Sequence, residues 1–233
     1  GGGIATYVRH AVKAHISAGN DVRILTWHFI EDSGRIDRTA IPELPTDRVT
    51  ILRISRKAVT GTYPRTPFTQ AASQFLAPEI IKHVRSLMPD VLETSDYHAP
   101  LFGYLMHRRA GMLRDIQHIP VIAVNHGLTR PILRYGGLVP ERYERQNHAA
   151  ERIQLIWADR VICPSEYAKG ILRRQISDVS HVDVVAEPYH WRTHHSVEPD
   201  APRGRFVCLG RASIAKGLDR VIHFMNAVRP HVP

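Results

Sequence analysis

Short apolar runs alternate with longer stretches of helical periodicity along most of the chain. This is the pattern of strands interleaved with helices in an α/β fold with a parallel sheet. Residues 6–18 place Val8, Ala11, Val12 and Ile16 on one helical face, and Gly19 stands where a left-handed C-terminal cap belongs. The strand DVRILTW follows directly. RVTILRIS, residues 48–55, is a second strand after a polar loop holding Pro42 and Pro45, and residues 68–87 form a long helical stretch that Pro78 should kink or divide. Next come strand DVLETS, a helix over 101–110, strand PVIAVNH, a Gly/Pro-containing loop over 127–140 and a helix over 141–158. Strand RVICPS, a helix over 166–175 and strand VDVVAEP complete the alternation.

Residues 190–204 are polar, contain prolines and follow neither period, which predicts an interdomain linker. RFVCLGR then reads as a strand, ASIA as a loop and residues 216–228 as a helix that ends before Pro230. A strand, a loop and a helix open a domain without completing one. The expected organisation is therefore a doubly wound, Rossmann-like domain over 1–189, a linker over 190–204 and the start of a second Rossmann-like domain over 205–233. Gly1, Gly2 and Gly3 lead into the first helix with no strand before them. A glycine run at a helix start suits a turn out of a strand whose amides approach a phosphate. The chain thus reads as a fragment cut at both ends, with a cloning remnant as the other source of the glycines.

Composition narrows the class. Of 233 residues, 43% are hydrophobic and 23% charged, as in ordinary globular proteins. No apolar run approaches the roughly 18–20 residues that span a bilayer, and no basic region precedes an apolar leader core. The expected location is cytoplasmic. Lys and Arg outnumber Asp and Glu by 31 to 22, a net charge of +9, and peripheral contact with an anionic membrane at its inner face is the preferred functional use of that excess. The basic groups lack interleaved aromatics or a nucleic-acid motif, so no nucleic-acid partner is expected. Cys163 and Cys208 sit in apolar runs and read as small buried hydrophobes. His190, His194 and His195 cluster without the glutamate of a metalloprotease site, and no metal site is expected. No G-x-S-x-G nucleophile elbow occurs.

The segment GRASIAKGLDR, residues 210–220, carries the strongest chemistry. A strand ends at Arg211 and Lys216 opens the next helix, so both cations converge on the crevice where α/β proteins bind ligands. Arg211 offers a planar fork of donors and Lys216 a compact charge beside the positive end of the helix, which together describe a diphosphate clamp. Gly217 and Leu218 follow Lys216, so this is not a Walker loop. His126, in VNHG at the carboxyl end of an apolar strand, is either structural or a contact to a bound sugar. Asp96, Tyr97 and His98 end the preceding strand, where they border an acceptor site or, for Asp96, cap the following helix.

Taken in order, GGGIATYVRHAVKAHISAGNDVRILTW, PDVLETSDYHAPLFGYL, PVIAVNHG, ADRVICPSEYAKGIL and FVCLGRASIAKGLDRVI resemble the retaining glycosyltransferases of the GT-B fold, specifically their family four. The resemblance spans nearly the whole chain. It implies a UDP- or GDP-sugar donor, no tightly bound cofactor, and a glycan, lipid-linked or small-molecule acceptor. By the same resemblance, Gly1, Gly2 and Gly3 lie near the donor diphosphate, Arg211 and Lys216 neutralise the leaving diphosphate, and His126 contacts the transferred sugar. Two departures stand out. VAEPYHWRTHH replaces the family's Asn-Gly-Val-Asp-like interdomain stretch, and the family's pair of glutamates in the second domain would fall beyond Pro233. The rival readings are a nucleotide-sugar epimerase or phosphorylase on the same scaffold, and a non-catalytic binding module.

Overall fold

The computed structural model describes residues 3–31, 44–66, 68–127, 142–176, 178–179, 181–188 and 218–228. Helix α1 (Gly3–Ser17) begins three residues earlier than periodicity indicates. Its end follows the expected cap: Gly19 takes φ +82°, Asn20 N donates to His15 O at 3.0 Å, and Gly19 N donates to Ile16 O at 2.9 Å. The left-handed residue thereby satisfies carbonyls that the helix itself leaves open. Strand β1 (Ile24–Phe29) pairs in parallel with β2 (Val49–Ile54), setting Ile24 opposite Val49 and Phe29 opposite Ile54.

A short helix absent from the sequence reading, α2 (Arg56–Thr62), follows β2. Seven residues are too few to display an apolar period. Its start is nevertheless well capped. Ser55 Oγ accepts from Ala58 N at 3.4 Å and donates to Glu31 Oε1 at 2.6 Å, while Arg56 N donates to Glu31 Oε2 at 3.1 Å. These donors, the Ser55 hydroxyl foremost, hold the exposed Glu31 carboxyl down at about 2.

Helix α3 (Phe68–Leu87) contains Pro78 and is still one element, so the expected division does not occur. Leu76 and Ala77 before the proline and Ile80, Ile81 and Val84 after it are all buried. A single apolar face anchors both halves to the core and offsets the one helical N–H that proline removes.

Four strands, β3 (Leu92–Ser95), β4 (Val121–Val124), β5 (Arg160–Cys163) and β6 (Val182–Val184), form a second parallel sheet in chain order. Helices α4 (Phe102–Arg109), α5 (Arg142–Trp157) and α6 (Glu166–Gln175) connect them. Ser165 caps α6 by accepting from Ala168 N at 3.2 Å. Strand β6 is shorter than the run VDVVAEP. Beyond Val184 it keeps one rung, Val185 N to Cys163 O at 3.0 Å. Helix α7 (Leu218–Val228) falls within the last expected helix. The linker over 190–204, the strand RFVCLGR, Cys208 and the histidine cluster at 190–195 lie outside the described residues.

Both sheets share one core. Leu76 and Ile80 of α3, Tyr104 and Leu105 of α4, Val121 of β4 and Val161 of β5 form its centre, and Leu25, Trp27 and Leu52 of the first sheet pack against it. The α/β class with parallel strands is as expected. Among the described residues β1 pairs only with β2, and β3 only with β4. Helix α4 approaches α3 so closely that a Cβ on Gly103 would stand 2.5 Å from Ser73 O. Ser73 Oγ fastens the crossing, accepting from Gly103 N and donating to Pro100 O, both at 2.9 Å. This crossing fixes the start of α4, and with it the turn that leaves β3.

Candidate active site

Strands β3, β4 and β6 deliver Asp96, His126 and Glu187 to the same carboxyl edge. Asp96 is fully buried. Its carboxylate accepts from Asn125 Nδ2 at 2.6 Å and from His126 N at 3.0 Å, and Gly127 N also donates to it. It therefore ties the end of β3 to the loop after β4. The helix-capping alternative for Asp96 is overturned, because the cap of α4 is Leu101, with no side-chain bond. Burial raises the Asp96 carboxyl to about 7, the nearby Glu151 adds to the rise, and the three donors oppose it. Cys163 Sγ lies 3.9 Å from Asn125 Oδ1, and burial pushes its thiol up to about 11, so it stays a neutral neighbour.

The His126 side chain is only 10% exposed, with Nδ1 3.4 Å from Glu187 Oε1. The Tyr7 ring meets it edge-on at 4.7 Å between centroids. Burial holds the imidazole below its ordinary pKa, against the opposite pull of Glu187 and Glu93. It is therefore neutral at pH 7, and Nε2 is buried without a hydrogen-bond partner among the described residues. In a neutral ring whose Nδ1 faces Glu187, Nε2 is left as a hydrogen-bond acceptor. Tyr7 donates to Glu93 Oε1 at 3.0 Å, and His15 Nε2 stands 3.7 Å from Glu93 Oε2. Burial, then Glu93, raises the Tyr7 phenol, which stays protonated. Two side chains of α1 thus reach one carboxylate of β3.

The turn from β3 to α4 has an unusual path. His98 and Ala99 are both left-handed, at φ +62° and +45°, which costs roughly 1–2 kcal/mol for each residue carrying a Cβ. Tyr97 is 41% exposed and stacks on the His98 ring at 3.9 Å. Burial lowers the His98 imidazole. Two fully buried side chains of α5 bond the turn's backbone. Glu151 Oε1 accepts from His98 N at 3.2 Å, and Gln154 accepts from Leu101 N at 2.7 Å while donating to Ser95 O at 2.8 Å.

The sequence model of Glycosyltransferase Family 4 matches residues 1–188. The chain belongs to Glycosyltransferase Family 4. The matched stretch holds every residue of the carboxyl-edge cluster, from Tyr7 to Glu187, so the cluster is part of a glycosyltransferase domain. No curated protein matches the chain significantly.

Within this family 4 domain, the four sequence candidates at the carboxyl edge of the second sheet fall into two sets. Asp96 and His126 are joined directly, the backbone of one to the side chain of the other. Tyr97 and His98, next in sequence to Asp96, form a stacked pair. Gly3 is the first residue of α1, whereas Gly1, Gly2, Arg211 and Lys216 lie outside the described residues. Among the described residues no three His, Cys, Asp or Glu side chains converge as a metal site, and no helix is long and apolar enough to cross a membrane.

Sequence reasoning missed Tyr7, Asn125, Glu151, Gln154 and Glu187. For two of them a signal existed. Asn147, Glu151 and Gln154 share one face of α5 at spacings of four and three, and all are buried. Polar residues at that spacing ordinarily mark the solvated face of a helix, so only a competing apolar face would have exposed them as interior.

Proposed function

We propose that this chain is part of a retaining glycosyltransferase that moves a sugar from a UDP- or GDP-sugar to a glycan, lipid-linked or small-molecule acceptor. The observation that carries the reading is the junction of Asp96, Asn125 and His126 at the carboxyl edge, inside a family 4 domain, with a neutral buried imidazole whose Nε2 is unpartnered among the described residues. In this reading Nε2 meets a hydroxyl of the transferred sugar, and Tyr97 and His98 border the acceptor. The bond between the anomeric carbon and the donor phosphate breaks with its electron pair going to the diphosphate. The acceptor oxygen bonds the same face of that carbon and passes its proton to the departing phosphate. Arg211 and Lys216 meet the growing charge on the diphosphate, which favours the transition state over the ground state.

The net charge of +9 supports peripheral contact with an anionic membrane when the acceptor is lipid-linked. Product analysis tests the reaction. The full chain, given UDP- and GDP-sugars with a glycoside acceptor, should release nucleoside diphosphate and form a glycoside that keeps the donor's anomeric configuration by NMR. Inverted product, an epimerised donor, or release of sugar 1-phosphate would refute it. Stronger binding to anionic than to neutral vesicles is the expected membrane result, and equal binding would remove that partner.

A further inference from the structure

We propose that Glu151 and Gln154 are positioning residues for sugar transfer, clamping the backbone from Ser95 to Leu101 in the left-handed path that presents Tyr97 and His98 to the acceptor. Both side chains are completely buried, yet neither packs as a hydrophobe would. Three of their hydrogen bonds run to one turn, from His98 N to Glu151 Oε1 at 3.2 Å, from Leu101 N to Gln154 Oε1 at 2.7 Å and from Gln154 Nε2 to Ser95 O at 2.8 Å. The turn needs such support. Two successive non-glycine residues at positive φ relax toward commoner conformations unless their surroundings over-determine them. Helix α5 can supply it because positions 151 and 154 lie one turn apart on the same face. The strained path also has a visible result: it stacks His98 against an exposed Tyr97, directly after the Asp96 that accepts from His126 N, where a polar acceptor would find a flat aromatic surface.

The inference rests on the acceptor-side reading of Tyr97 and His98, and the experiment separates the two. The full chain is prepared as Glu151→Ala, Glu151→Gln and Gln154→Ala. Nucleoside diphosphate release from UDP-glucose and GDP-mannose is measured in water alone and with octyl glucoside or methyl mannoside as acceptor. Amide exchange at His98 and Leu101 is followed in parallel. Glu151→Ala and Gln154→Ala should lower kcat/KM for the acceptor at least tenfold while leaving donor hydrolysis within twofold. Glu151→Gln, which still offers His98 N an oxygen, should keep transfer within threefold of the parent. Exchange should quicken at least tenfold at His98 in Glu151→Ala and at Leu101 in Gln154→Ala. Unchanged exchange overturns the clamp whatever the activities. Quickened exchange with unaltered transfer, or an equal fall in transfer and hydrolysis, overturns the positioning role. An unsubstituted chain that releases no diphosphate from any donor sinks the transfer reading and that role with it, while exchange still decides whether the clamp exists.

Discussion

Replacing Asp96 by Asn changes the pH dependence of stability in a direction the structure dictates. The buried carboxyl has a pKa of about 7 in the fold against an ordinary value of 3.8. Between those values the native state holds a proton that the unfolded chain has released, so stability falls as pH rises through the window and levels off above it. At about 1.4 kcal/mol per pKa unit, the two units between pH 5 and pH 7 correspond to about 3 kcal/mol. Asn has no proton to lose and resembles the protonated acid, with one acceptor for His126 N and one donor for Asn125 once that amide turns over. Urea unfolding of Asp96→Asn and the parent at pH 5 and pH 8 reads the effect, and the double difference cancels the histidines common to both. Asp96→Asn should gain up to about 3 kcal/mol on the parent between pH 5 and pH 8. Parallel pH profiles would refute the reasoning, because they would mean that Asp96 stays ionised throughout.

Further substitutions test the scaffold and the cleft. Gly103→Ala forces a methyl against Ser73 O at the α3–α4 crossing, and despite the better helix propensity of alanine it should destabilise by about 1–3 kcal/mol in urea unfolding. Ser165→Ala removes the acceptor for Ala168 N at the start of α6 and should cost about 1 kcal/mol; a loss confined to fraying, seen as faster amide exchange in the first turn alone, is the local form of the same outcome. Arg211→Ala and Lys216→Ala in the full chain should each lower kcat more than they raise donor KM, since the proposed contacts strengthen as charge develops on the leaving diphosphate. Rates limited only by donor KM would assign them to ground-state binding instead.

The order of strands and helices was legible because each strand is a short apolar run and each long helix shows its period over several turns. The Gly19 cap was legible for a local reason, since one residue type tolerates the left-handed conformation there. Helix α2 was not legible. Seven residues, with a cap built from Ser55 and the distant Glu31, leave no periodic trace. The continuity of α3 through Pro78 was not legible, because the sequence shows the missing N–H and hides the buried face that holds the helix together. At the site, position along the chain was enough to bring Asp96, Tyr97, His98 and His126 to strand ends. Their partners were not visible. Tyr7 reaches His126 across 119 positions of sequence, Glu151 reaches His98 from 53 positions away, and neither pairing follows any local rule. For the same reason the helix-capping alternative for Asp96 was closed only by its donors, which come from the loop after β4.

The proposed sugar transfer at the carboxyl edge of β3 and β4 is tested most directly by His126→Ala in the full chain, with nucleoside diphosphate release measured under saturating donor and acceptor. Loss of one hydrogen bond that strengthens in the transition state should lower kcat by roughly 10²–10³, with the urea midpoint showing the chain still folded. A kcat unchanged from the parent in a folded His126→Ala chain would contradict the assignment and place the chemistry elsewhere.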